Sequence, residues 1–207
     1  MKNKVLATII FIISIMLGIV ALKEYLINLD SFIYDLIIKL KCPFFTNVFK
    51  VISFLFSTYA VIFYCILILI FLRDKKYSYF ICLTMIGEVL LNNIIKIIFK
   101  RPRPNILPMV VEKSYSFPSG HTMAATVFII VMGNYFINKN IKFKKIIIFI
   151  EIIIIMLVGI SRIYLGVHYF TDILGAFIIS YSFLLSFKDD KIITKYLKRG
   201  HLNDNKN

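Results

Sequence analysis

An all-α fold, a bundle of six transmembrane helices with a short interfacial amphipathic helix, is predicted by three observations. Hydrophobic residues fill 59% of the 207 positions and charged residues only 17%, well under the roughly 25% charge of a soluble domain. The apolar residues gather into six runs, against a need of about 20 residues for a helix to cross a hydrocarbon core. The connectors are too short for a separate globular module, so 1–187 reads as one membrane-embedded domain and 188–207 as a basic cytoplasmic tail.

The first run, 5–22, follows Lys2 and Lys4 as a secretory leader would, but its length and the lack of a small-residue cleavage site predict a retained anchor. Over 30–41, Phe32, Ile33, Leu36, Ile37 and Leu40 recur at helical spacing with Asp35, Lys39 and Lys41 between them. That pattern predicts a helix lying at the interface or packed on the bundle as an amphipathic connector. Runs 48–72 and 79–99 supply the second and third spans. Within the third, Glu88, Asn92 and Lys96 recur every four residues, a polar stripe that is expensive against lipid and is expected to face the interior. Runs 122–137, 146–161 and 169–187 complete the set. Glu151, in the fifth, is expected to snorkel or to pair within the bundle. His201 reads as a solvated tail residue.

The net charge of +14 is scattered through short loops and the tail instead of lining one face, which points to bilayer lipids as partners and away from nucleic acid. With the N-terminus inside, fifteen of the 25 Lys and Arg residues face the cytoplasm, so both termini are placed there and the chain in the cell membrane. Of the three cysteines, Cys65 and Cys82 sit in apolar runs and Cys42 in a connector, with no metal or redox spacing and no disulfide expected. The sequence carries no signal for oligomeric state.

The same orientation sends three polar islands to the outer face. Lys96 is followed by Arg103 and Pro104; then come Pro118, Ser119, Gly120 and His121; then Ser161, Arg162, His168 and Asp172. Phosphate-ester cleavage needs cations around the equatorial oxygens, an in-line nucleophile and a proton for the departing oxygen. Lys96, Arg103 and Arg162 meet the first need, the arginines as planar forks and the lysine as a point charge. Ser119, Gly120 and His121 open an apolar helix, whose N-terminal N–H groups favour an anion. His168 and Asp172, four apart on a helix, share one face about 6 Å apart, and a carboxylate on Nδ1 leaves Nε2 free. Singly, each island also fits an ordinary role: a snorkelling cation, a helix cap, a structural ion pair. The histidines already have phosphate roles and the outer half holds no close group of Asp and Glu, so no metal and no cofactor are expected.

These three islands resemble the type 2 phosphatidic acid phosphatase family: lysine, six residues, arginine, proline; proline, serine, glycine, histidine; serine, arginine, five residues, histidine, three residues, aspartate. Every defining position between Lys96 and Asp172 is filled. The resemblance implies a six-helix membrane bundle and a metal-independent hydrolase working through a phosphohistidine. It implies that His168 attacks phosphorus with Asp172 behind it and that His121 protonates the leaving oxygen and later activates water. Lys96, Arg103, Ser119, Gly120 and Arg162 then hold the phosphate. Which histidine attacks follows from the resemblance alone.

The leading expectation is therefore a lipid phosphatase taking a phosphorylated membrane lipid from the outer leaflet, with undecaprenyl diphosphate first among the candidates. Phosphatidylglycerol phosphate, phosphatidic acid and diacylglycerol pyrophosphate are its rivals. A binder or transporter of phosphorylated lipid, with pH-sensing histidines, accounts for the cations but leaves the His168 and Asp172 pair without a use. Halide oxidation on bound vanadate shares these residues, but it belongs to soluble proteins and six spans disfavour it.

Overall fold

The first anchor is a helix, α1 (Lys2–Leu22), whose stripe of small residues, Ala7, Ser14, Gly18 and Ala21, is buried while most of its larger apolar side chains face outward. Lipid supplies no hydrophobic drive between helices, so close approach of small residues does the packing. In this computed structural model, which describes residues 2–23, 25–106 and 108–187, the stripe lies along the last helix, α8 (Phe170–Phe187), and the Ser182 hydroxyl donates to the Ala7 carbonyl at 2.7 Å. The expected basic tail and His201 lie outside the described residues.

The expected amphipathic helix forms as α2 (Ile27–Ile38). It packs on the bundle through Ile37 and a buried Asp30, while Phe32 and Leu36 stay exposed. The run expected as one span, 48–72, is instead two helices meeting at 51°, α3 (Pro43–Leu55) and α4 (Thr58–Phe71). Local chemistry explains the break. Cys42 caps α3 one residue ahead of Pro43, where proline suits the first helical turn, and the Ser57 hydroxyl starts a new helix by accepting from the Ala60 N–H at 3.3 Å. Among the described residues, five helices are long and apolar enough to cross a membrane, and the bent pair counts as a sixth span if taken together.

Helix α5 (Lys75–Phe99) starts on the Asp74 carboxylate, which accepts from the Tyr77 N–H, and stops at Lys100, whose φ of 47° is left-handed. Glu88, Asn92 and Lys96 are all buried along it, so the polar stripe does face inward. Helices α6 (Gly120–Lys139) and α7 (Lys144–Tyr164) follow, joined by a single 3-10 turn. Glu151 of α7 lies inside the bundle against Gly133 of α6, and one of its oxygens has no hydrogen-bond partner among the described residues. Phe117, with no exposed surface, packs on Phe99 and fits against Gly175, where a Cβ would run into its ring. That plug holds the 100–119 segment against the bundle. The C-terminal ends of α5 and α7 and the N-terminal ends of α6 and α8 thereby meet at one end, beneath α2 and α3.

Candidate active site

Asp172 opens α8 with no exposed surface and four donors around its carboxylate. Arg101 Nη1 reaches Oδ1 at 2.5 Å, while Oδ2 accepts from the Ser116 hydroxyl at 2.5 Å, the Tyr169 N–H at 2.9 Å and His168 Nδ1 at 3.3 Å. A carboxylate has about four lone-pair sites, so Asp172 is saturated and fixed. On the far edge of the imidazole, Arg103 Nη1 lies 3.2 Å from His168 Nε2. A guanidinium only donates, so Nε2 presents a lone pair and the ring proton belongs on Nδ1. Burial first, and then the charges of Arg103, Arg162 and Lys96, push the His168 pKa well below its ordinary 6.5. His168 is thus a neutral base with its lone pair aimed at the cations.

Those cations converge from three elements. Arg103 is braced by the Ser114 carbonyl at 2.8 Å and the Val167 carbonyl at 2.7 Å; burial lowers its pKa, opposed by Glu112 and Asp172. Lys96 donates to the Tyr115 carbonyl, and Arg162, 1% exposed, donates to the Ser53 hydroxyl of α3. Between them sits a residue that sequence reasoning missed. The Glu112 carboxylate accepts from Arg162 and lies 3.8 Å from Arg103 Nη2 and 3.9 Å from His121 Nδ1. An internal anion therefore occupies the space that the predicted phosphate-binding side chains surround.

The Pro118 to His121 island forms the turn into α6. Ser119 is its N-cap and is fully buried; its N–H donates to the Asp172 carbonyl and its hydroxyl accepts from Thr122, which leaves the hydroxyl hydrogen available to donate. Gly120 and His121 line the same cavity as Lys96, Arg103, Glu112 and His168. A Cβ at Gly120 would stand 3.2 Å from Asn92 Oδ1, so α5 approaches this turn closely and any larger residue would require the Asn92 side chain to shift.

Arg101, two residues before Arg103, was also missed. Its guanidinium spans Asp172 and Asp30, meeting Asp30 Oδ2 at 2.9 Å, and stacks 4.1 Å over the Tyr169 ring. Asp30 in turn accepts from the Thr171 N–H and hydroxyl at 2.9 and 2.8 Å. No local signal separates Arg101 from Arg103, because only the packing decides which one turns inward. Asp30 sits in a helix whose other polar residues suggested an interface, and a partner far along the chain leaves no periodic trace. Among the described residues, no three His, Cys, Asp or Glu side chains gather as a metal site.

Below the cations a cavity of about 600 Å³ descends between α4 and α5, lined by Val61, Cys65, Leu69, Met85 and Val89, with Glu88 among them. A buried imidazole oriented by a carboxylate, a cluster of cations and an apolar groove thus adjoin one another.

The chain is 42% identical over 130 residues to phosphatidylglycerophosphatase B of Bacillus subtilis strain 168, across 59% of this chain and 63% of that protein. It is 29% identical over 136 residues to undecaprenyl-diphosphatase BcrC of the same strain, across 60% and 65%. The chain thus spans less than two thirds of the length of either curated relative. Its fold matches the crystal structure of a transmembrane PAP2-type phosphatidylglycerolphosphate phosphatase from Bacillus subtilis with a TM-score of 0.76 and 29% identity, over 96% of this chain and 98% of the other. It matches LpxE of Aquifex aeolicus at 0.60 and 28%, over 75% and 92%. The sequence profile of the PAP2 superfamily covers residues 77–190, a stretch that includes all three islands and the helices that bring them together, and the chain belongs to that superfamily.

Proposed function

We propose that this protein is a membrane phosphatase that removes the terminal phosphate of phosphatidylglycerol phosphate through a phosphohistidine on His168. The observation that carries this reading is His168 itself, tied at Nδ1 to a saturated Asp172 and facing Arg103 at Nε2. The substrate phosphate displaces the Glu112 carboxylate and takes its place among Lys96, Arg103 and Arg162. The Nε2 lone pair then attacks phosphorus; the P–N bond forms as the P–O bond to the lipid breaks, and His121, as an imidazolium, gives its proton to the departing oxygen. Asp172 balances the positive charge left on the His168 ring. In the second step His121 takes a proton from water, whose oxygen attacks phosphorus. The P–N electrons return to Nε2, and inorganic phosphate leaves. Lys96 and the two arginines balance the charge on the equatorial oxygens in both steps, a role that divalent cations fill in other phosphatases.

The sequence alone put undecaprenyl diphosphate first. The 42% identity to a phosphatidylglycerophosphatase, against 29% to an undecaprenyl-diphosphatase, moves phosphatidylglycerol phosphate ahead of it. Undecaprenyl diphosphate stands as the second reading. The site is assigned to the extracytoplasmic face, with both termini in the cytoplasm, from the distribution of Lys and Arg.

The test is phosphate release from phosphatidylglycerol phosphate, undecaprenyl diphosphate and phosphatidic acid by purified protein in detergent, with and without chelator. Turnover that survives chelator, is fastest on phosphatidylglycerol phosphate and vanishes with any trapped phosphoenzyme in His168→Ala is the expected result. Dependence on added magnesium, or retained turnover in that variant, overturns the mechanism.

A further inference from the structure

Glu88 is a carboxyl group with no assigned partner in the middle of an apolar groove. It is 1% exposed, its Oε2 has no hydrogen-bond partner among the described residues, and it lines the cavity that leads down from Lys96, His121 and His168. Leaving a polar group unpaired in such surroundings is costly, and a buried position of this kind calls for a partner. Asn93, exposed on the same helix, lines the same cavity nearer the cations. At 1.5 Å of rise per residue, Asn93 lies about 5 Å and Glu88 about 12 Å below Lys96.

Those depths discriminate between lipids. The hydrocarbon of a polyprenyl diphosphate begins about 5 Å from the cleaved phosphorus, at single-bond lengths near 1.5 Å. By the same measure phosphatidylglycerol phosphate carries its headgroup hydroxyl about 5 Å and its ester groups about 12 to 15 Å from the terminal phosphorus. A polyprenyl chain would lay bare hydrocarbon on Glu88, whereas the glycerolipid brings an acceptor there.

We propose that Asn93 and Glu88 form a second polar subsite in the lipid groove, which hydrogen-bonds the headgroup glycerol and the ester oxygens of a glycerophospholipid. The subsite selects lipids whose polar part extends well beyond the phosphate that is removed. This rests on the reading of the upper site as a lipid phosphatase. A protonated carboxyl supplies an O–H donor to an ester carbonyl, and a glutamine amide at the same place supplies an N–H donor.

The experiment measures KM and kcat of purified protein in detergent for phosphatidylglycerol phosphate, undecaprenyl diphosphate and a soluble aryl monophosphate too short to reach Glu88. Glu88→Leu is expected to raise KM for phosphatidylglycerol phosphate about tenfold, the size of one lost buried hydrogen bond, with kcat within a factor of two. Glu88→Gln is expected to return KM to the wild-type value. Asn93→Leu, at an exposed position where folding is not at stake, is expected to raise the same KM. The KM for the aryl phosphate stays constant throughout, and that for undecaprenyl diphosphate does not rise. Equal shifts for all three substrates, no shift in either leucine variant, or a glutamine variant as impaired as the leucine one would overturn the subsite. Wild-type protein that releases phosphate from neither lipid overturns the phosphatase reading itself, an outcome separate from the behaviour of the variants.

Discussion

In the proposed mechanism His168 is the residue whose protonation limits the chemistry, and its surroundings fix where that limit falls. Burial and the charges of Arg103, Arg162 and Lys96 hold its pKa well below 6.5, so the neutral form persists through the neutral range. The acid limb of kcat/KM is therefore expected well below pH 6.5, where His168 takes up a proton and its lone pair is lost. An acid limb at or above pH 6.5 contradicts the assignment. Stability has the same sign. The unfolded chain protonates His168 near 6.5 and the folded chain resists, so the contribution is present above 6.5 and is lost as pH falls below it. Glu112 offers a second measurement at this scale. Its carboxylate engages Arg162 and Arg103, and if phosphate must displace it, Glu112→Gln is expected to tighten competitive inhibition by inorganic phosphate roughly tenfold, about 1.4 kcal/mol. Weaker inhibition in that variant would mean that Glu112 organises the arginines instead of competing for them.

At the scale of elements, the site depends on two helices that a three-island pattern leaves out. Helix α2 reaches the centre through Asp30, which Arg101 ties to Asp172 of α8, and α3 reaches it through Ser53 on Arg162. The break at Ser57 lets α3 lie across the site end while α4 descends beside the groove. Removing Arg101 leaves two fully buried carboxylates facing each other without their cation. Arg101→Ala is expected to destabilise the protein by about 3–5 kcal/mol, the range for one partner lost from a buried pair. A thermal melt in detergent reads this out. Paired Asp30→Asn is expected to recover part of the loss, because one of the stranded charges is then gone. A melting temperature equal to wild type in Arg101→Ala would show that the network carries no stability.

Across the whole molecule, antiparallel spans bring the C-terminal ends of α5 and α7 to the N-terminal ends of α6 and α8, so all three islands share one end whatever the membrane side. The side itself is set by charge. A fluorescent protein joined after the last residue is expected to fold and fluoresce in the cytoplasm, and alkaline phosphatase joined after Val110 is expected to be active outside. The reverse pattern would place the site on the inner face. Much of this was legible in the linear chain. Apolar runs that must satisfy their own backbone hydrogen bonds in lipid can only be helices, and Lys96, Arg103, His121, Arg162, His168 and Asp172 lie at spacings that point to a phosphate and a nucleophile. Ser119 was legible at the cap position of α6, where its hydroxyl accepts from Thr122. The packing alone decided that Arg101 rather than its neighbour turns toward Asp172, that Asp30 leaves the interface for the core, and that Glu112 fills the anion pocket. The bend in the second apolar run, by contrast, has a local origin in the Ser57 cap that starts α4. Local periodicity and helix chemistry operate within a few turns and are written in the order of residues. Pairings across 50 or 71 positions have no local energy of their own, and they exist only once the helices have closed around them.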